Sequence, residues 1–555
     1  MQSKMKSEGY YRRMERDASL YTQTVLDSKD LKKLVVAGPG AGKTHLFEEV
    51  CKRCDSTNIL ILSFINELVN DLKRSLDQYG SVRTLHSFAC RELKQSNFFM
   101  KLTKVIDEDY FAAEGKEISF EDVFSNLRTE MRDEISFYMS RRKHYDHIGP
   151  NCSVYLLVKH YENSPTRVHK YSQILIDEFQ DFNKLEIHLI KILAKSSPIL
   201  IAGDDDQSLY SFRYAVPGEI RNIYEGDEYR NFDLPYCRRC PEVIIRAVKN
   251  VLDSAREMGL FSKRIPKDFK YLPSEERDKI SAMNKEIEVK RPIYKGVLAS
   301  NLDWDIQKIY KQDKDASVLI LFPNKLKKHI PGVEKTLRSK GYRKIDTPTF
   351  KNNTLTLSDG YGLLLDDSRS KLGWRIIAKE KFKADVFAEY SKKSLADDSS
   401  FETLIDKSLK EEVKSNLVLL TKAIKTGELS ADEASSLFKE LGYDPIKNTI
   451  RELRNDFNND YTASEGYHSV PIKMTTILGS KGLTDNYTFL VKFDDKAVLE
   501  DPTNITEEEV CNFLVAITRS RKKVFIYSAE DKRPTFVDWL GPNVRSEKII
   551  SYEKH

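Results

Sequence analysis

Two segments carry the residue types and spacing that a nucleoside-triphosphate hydrolase needs. In Ala37-Gly38-Pro39-Gly40-Ala41-Gly42-Lys43-Thr44, the apolar run Leu34-Val35-Val36 leads as a buried strand into glycines. The backbone N–H groups of such a loop can close around phosphate oxygens, with Lys43 reaching the terminal phosphates and the Thr44 hydroxyl holding Mg²⁺. In Ile174-Leu175-Ile176-Asp177-Glu178-Phe179-Gln180-Asp181 a second apolar strand delivers two adjacent carboxylates to its end. There Asp177 can bind the metal through water and Glu178 can polarise an attacking water. Taken alone, the loop also fits a plain strand-to-helix turn, because Ala37 stands where the usual pattern begins with glycine, and an Asp-Glu pair alone is most often a solvated turn. Together, each at the end of a hydrophobic strand, they predict one ATP site that needs both halves.

Elements must position those segments, and short runs rich in Val, Ile, Leu and aromatics recur at 34–37, 59–62, 174–176, 199–202, 318–321, 489–491 and 524–527. Each is followed by a turn and an amphipathic segment, an alternation that predicts α/β architecture with parallel sheets. The runs fall into a front group before about residue 265 and a back group after about 290. Residues 92–165 and 355–465 break the alternation and read as mainly helical insertions, with helices expected over 120–127, 400–420 and 431–441. The expected division is therefore 1–91 with 166–265 as a first core, 92–165 as its insertion, 266–354 with 466–555 as a second core, and 355–465 as its insertion. The Lys- and Glu-rich stretch from Ile265 to Arg291 reads as a link between cores.

A chain of 555 residues is too long for one core. With 40% hydrophobic and 32% charged residues it reads as globular, not disordered. The net charge of +5 is small against 90 basic and 85 acidic residues, so nucleic-acid affinity has to come from local stripes. No apolar stretch approaches bilayer length and the N-terminus is polar, which predicts a cytoplasmic protein. Cys51-x-x-Cys54 and Cys237-x-x-Cys240 have metal-type spacing. The first pair, however, falls on the helix expected after the glycine loop, the second flanks arginines with another role, and nothing brings the pairs together.

With the phosphate motifs placed, three runs resemble the UvrD/Rep-like superfamily 1 DNA helicases: Asp177 to Asp181, Gly203-Asp204-Asp205-Asp206-Gln207-Ser208-Leu209-Tyr210-Ser211-Phe212-Arg213, and Val515-Ala516-Ile517-Thr518-Arg519. Their order and gaps also fit. The resemblance implies two RecA-like cores, each carrying a mainly helical insertion, with ATP bound in the cleft between them and movement 3′ to 5′ along single-stranded DNA. It further implies that Gln207 senses the γ-phosphate, that Arg239 and Arg519 neutralise transition-state charge, and that Gln23 reads adenine. For the DNA track it implies base stacking on Phe64 and Phe212, with Asn66, His86, Arg213 and Thr476 contacting backbone or bases.

The departures from the family pattern carry expectations of their own. In Met474-Thr475-Thr476-Ile477-Leu478-Gly479-Ser480-Lys481-Gly482-Leu483-Thr484, Leu478 replaces the family histidine and Thr484 the glutamate that touches ribose, with Asp485 as a stand-in by a one-residue shift. Arg238 occupies the place of the tyrosine that stacks on adenine, which implies looser base discrimination. Both insertions are short and the chain ends soon after the last motif, as expected of a compact motor that translocates or hydrolyses ATP without strong unwinding of its own. The rival readings are a DNA-stimulated ATPase serving as sensor or loading subunit of a multi-protein repair or anti-phage defence complex with a separate nuclease, a DNA-binding protein without catalysis, and an RNA helicase.

Overall fold

The computed structural model describes residues 7–292, 298–347, 354–426, 466–529, 533–542 and 544–550; the helix expected over 431–441 lies outside them. The chain divides into two compact units, one made of Met1–Phe88, Val158–Thr349 and Tyr461–His555, the other of Ala89–Leu157 and Phe350–Asp460.

The first unit holds two large parallel sheets and a small one formed by two of its strands, Tyr236–Cys237 and Lys270–Tyr271. Its strands in chain order are β1 Lys32–Ala37, β2 Ile59–Ser63, β3 Ser81–Thr84, β4 Gln173–Ile176, β5 Ile199–Gly203, β6 Arg230–Leu234, β7 Tyr236–Cys237, β8 Lys270–Tyr271, β9 Ile287–Pro292, β10 Val318–Phe322, β11 Ile345–Asp346, β12 Ile472–Thr476, β13 Asp485–Leu490, β14 Ser520–Tyr527 and β15 Val544–Ile550. One six-stranded sheet runs β3-β2-β4-β5-β1-β6, and a seven-stranded sheet runs β11-β12-β10-β13-β14-β9-β15. The pairings within both are parallel, as in Val36 opposite Gly203 and Asp233, or Val318 opposite Ile472 and Tyr487.

Parallel strands are covered on both faces, which is why β2, β5 and β10 are buried at every residue and were readable as apolar runs. In the first sheet Val35, Leu175 and Leu200 share a core with Leu46, Phe47 and Cys51 of the helix Lys43–Arg53. Each such side chain contributes about 1.5–3 kcal/mol of burial. The strand ends therefore sit on a rigid base, and the loops after β1, β4 and β5 emerge from one edge of the sheet, the usual place for a ligand in such folds.

The stretch expected to link the cores is structured instead. It forms β8, the helix Glu275–Met283 and β9, and β9 lies inside the second sheet between β14 and β15. Apolar content missed it because its charged residues are buried as pairs: Lys290, 5% exposed, donates to Asp305 at 2.5 Å, and Glu288 pairs with Lys523. At the other end of the stretch, Lys267 enters the carboxylates of Asp204, Asp205 and Asp206.

In the second unit the two insertions expected to be separate share one compact body. Phe120–Ser125 is helical as expected, whereas 400–420 is broken into Phe401–Leu404 and Lys407–Thr426. The break falls at Asp406, whose carboxylate accepts from the Leu409 N–H at 2.8 Å and so caps the second helix. Tyr361, Trp374, Phe401 and Val413 are among the residues of its apolar core.

Candidate active site

The glycine loop after β1 is bent by two left-handed residues, Gly40 at φ +69° and Gly42 at φ +96°. Gly42 then starts the helix Lys43–Arg53 with no side chain over its first N–H groups, leaving them and the positive end of the helix dipole facing the loop. A Cβ on Gly40 would lie 2.5 Å from Cβ of Arg239. Arg238 laces that segment to the loop by donating its N–H to the Gly40 carbonyl at 2.8 Å.

A cleft of about 290 Å³ is lined by Gly38 to Thr44, Asp177, Glu178, Gln207, Arg238 and Arg239 from the first core, and by Gly482, Arg519 and Arg521 from the second. Ala37 is wholly buried in β1 beneath it. Lys43 Nζ lies 2.9 Å from Glu178 Oε1. Burial alone would pull the pKa of Lys43 down, but the carboxylates of Glu178 and Asp177 outweigh it and hold it above the ordinary lysine value. Glu178 takes the left-handed conformation at φ +52°, a strained placement for a side chain with a Cβ. Against the upward push of burial, Lys43 and Lys481 hold its carboxyl below the usual range. Asp177 goes the other way, pushed up to about 7 by burial and then by the neighbouring Glu178 charge.

Gln207, 3% exposed, donates to Asp204 at 2.7 Å and accepts from Arg519 at 3.4 Å. Arg519 is itself 3% exposed and oriented by its Nε bond to the Val515 carbonyl at 2.9 Å. Burial, then the Arg239 guanidinium, press against its charge and lower its pKa. Arg239 reaches the Thr518 carbonyl at 3.5 Å. Two arginines, one from each core, thus converge on the loop that Lys43 opens.

The other expected site residues fall outside the cleft or are held by partners of their own. Gln23 does not line the cleft; its exposed carboxamide donates to Asp27 at 2.7 Å and accepts from Arg53 at 3.2 Å. Arg238 lines the cleft but is held by Glu15 at 2.6 Å. Asp485 is the first residue of β13, 3.4 Å from Lys473, and is not part of the cleft wall. Phe64, expected to stack a base, is 4% exposed, with Phe182 edge-on at 5.7 Å, Tyr210 at 4.8 Å and the Arg213 guanidinium 4.7 Å over its ring. Its ring faces are used inside the fold, and Arg213 is spent on one of them. Phe212 is 59% exposed and borders a cavity of about 450 Å³ with Pro323, Asn324, Ile477 and Phe493. Asn66 is exposed at the start of the helix Asn66–Leu76, and His86 Nε2 lies 3.6 Å from Glu186. Thr476 ends β12 with its hydroxyl accepting from the Gly479 N–H at 3.1 Å. The cysteine pairs form no joint cluster among the described residues. Cys237 and Cys240 are buried free thiols, and the Cys240 N–H points to the Cys237 sulfur at 3.4 Å.

Lys481 lies in the segment 474–484 and has no role by local pattern alone. It is 2% exposed, and its ammonium donates to the Asp181 carboxylate and, at 2.8 Å, to the Gln207 carbonyl. It comes from the turn after β12, so only the pairing of the two cores reveals its partners.

Residues 118–226 match the UvrD/REP helicase N-terminal domain. The chain is 26% identical over 281 residues to DNA helicase II of Haemophilus influenzae, covering 40% of this chain and 38% of that one. It is 25% identical over 240 residues to the ATP-dependent DNA helicase Rep of Buchnera aphidicola, covering 34% and 37%. Over a shorter stretch of 113 residues it is 36% identical to the ATP-dependent DNA helicase srs2 of Schizosaccharomyces pombe, covering 19% and 11%. The chain thus spans well under half the length of these relatives.

Proposed function

We infer that this chain, a UvrD/Rep-like helicase, is an ATP-hydrolysing motor that moves 3′ to 5′ on single-stranded DNA in the cytoplasm. One observation carries the reading: Arg519 of the second core meets Gln207 of the first at 3.4 Å, in the cleft that Lys43 and Glu178 line. A phosphate group there draws on both cores at once, so binding favours closure and loss of the terminal phosphate releases it.

The residues present also fit a divalent cation. Asp177 Oδ1 is buried and finds no hydrogen-bond partner among the described residues, and the raised pKa of that carboxyl marks a negative charge without enough countercharge. Thr44 lines the same cleft. Mg²⁺ held by Thr44 and Asp177 would neutralise charge on the phosphates. The protein's own groups do the rest: Lys43 and the loop N–H groups bind phosphate, Glu178 orients water, and Arg239 and Arg519 stabilise developing charge. With Gln23 engaged elsewhere and Arg238 paired to Glu15, the base is read loosely.

The test is ATP hydrolysis with and without single-stranded DNA, with Glu178→Gln as control. Stimulation that vanishes in the variant is expected; DNA-independent hydrolysis at the same rate in both proteins would refute the motor. Strand separation on a duplex with a 3′ tail then distinguishes an unwinding enzyme from a translocase or a loading subunit.

A further inference from the structure

The segment from Gln207 to Phe212 is gripped by the second core at three points. Arg519 reaches the Gln207 side chain, Lys481 the Gln207 carbonyl, and Glu508 the Ser211 hydroxyl. The same Lys481 ammonium pairs with Asp181, lies 3.8 Å from Glu178 Oε2, and stands 5.6 Å over the Tyr210 ring. One side chain of the second core therefore touches both the carboxylate loop after β4 and the strand-end segment that presents Phe212.

We propose that Lys481 is a positioning residue that couples the two functions: it fixes the carboxylate loop and the Phe212 segment relative to the second core, so that strand occupancy at Phe212 sets the geometry of Glu178. The physical case is burial. Lys481, Asp181 and Gln207 are 2%, 0% and 3% exposed, so the ammonium has no water to fall back on and its direction is set by these partners. An ammonium with three donors satisfies a carboxylate and a carbonyl together, whereas a neutral side chain of similar length fills the space and holds neither. Phe212 is separated from Gln207 by only four residues; Ser208, Leu209 and Tyr210, between the short 3₁₀ turns Asp205–Gln207 and Ser211–Arg213, are buried, so packing transmits a shift at the Gln207 carbonyl to the exposed ring.

This rests on the proposed motor, and the experiment separates the two. The full chain is compared with Lys481→Met, Lys481→Arg and the double variant Lys481→Met/Asp181→Asn, measuring KM for ATP, DNA-stimulated kcat and melting temperature. The double variant removes both buried charges and so restores folding if the single variant loses it. The expected result is KM within about twofold in each, with stimulated kcat down about tenfold in Lys481→Met and in the double variant, and partial recovery in Lys481→Arg. A double variant stimulated like the parent would overturn the coupling role and leave Lys481 a structural ion pair. A parent chain with no DNA stimulation would overturn the motor and the coupling together.

Discussion

Glu178 stands between two lysines, with Lys43 at 2.9 Å on one oxygen and Lys481 at 3.8 Å from the other, which keeps it ionised and aimed into the cleft. Its loss should cost chemistry and not binding: Glu178→Gln is expected to lower kcat by about 10²–10⁴ with nucleotide affinity retained. Lys43→Ala should lose affinity itself. A fluorescent-nucleotide titration beside a phosphate-release assay reads both, and equal loss of affinity in the two variants would make Glu178 a binding group. The two aromatic residues expected on the DNA track separate by the same logic. Phe212→Ala should weaken single-strand binding by about 1–3 kcal/mol with stability almost unchanged, because its ring is exposed. Phe64→Ala should instead cost about 3–5 kcal/mol of stability, read by denaturant melts, because its ring is enclosed by Phe182, Tyr210 and Arg213. The phosphate loop and the carboxylate pair were legible because their chemistry is local in sequence. The fates of Phe64 and Lys481 were not, since each is decided by partners far along the chain, and Gln23 is held away from the cleft by Asp27 one helical turn on and by Arg53.

Among the elements, the strands that declared themselves are those buried on both faces, such as β2, β5 and β10. β9 did not, because only Ile287 and Val289 supply its apolar signal while Glu288 and Lys290 between and beside them are charged. Its place in the sheet depends on neutralising those charges within the fold. Lys290 is bound by Asp305, and Asp305 also accepts from the Tyr527 hydroxyl of β14, so the pair ties β9, the helix Leu298–Gln312 and β14 at one point. Replacing Lys290 by Met leaves a carboxylate that is 2% exposed without its cation. The expected loss is about 3–5 kcal/mol in a urea melt. A loss below about 0.5 kcal/mol, the level of an ordinary surface substitution, would show that the apolar residues alone set the strand.

At the scale of the whole molecule, the second unit is assembled from segments that no local pattern could connect. Asp109 accepts from Arg141 at 3.0 Å and from Tyr145 at 2.6 Å within its own segment, and from Arg375, 266 residues further on, at 2.9 Å. Arg375 is wholly buried, so Asp109→Asn removes the one buried carboxylate that both guanidiniums share, leaving Arg375 to Glu108 at 2.9 Å, and should cost about 3–5 kcal/mol in the unfolding of this unit. The same region sets a pH dependence. His144 is buried, and burial, then Arg141 and Lys371, lower its pKa to about 4, with Asp398 opposing them only in part. The folded protein therefore resists a proton that the unfolded chain accepts at about 6.5. Stability from this group is complete above pH 6.5 and is lost as pH falls toward 4, by about 2 kcal/mol at pH 5. Asp107 works in the opposite direction, since burial raises its acid to about 7, so the parent curve alone mixes the two. The difference between the parent and His144→Gln isolates the histidine: the parent should lose stability relative to the variant as the pH is lowered from 7 to 5, and parallel curves would mean that His144 titrates in the folded unit as it does in the unfolded chain.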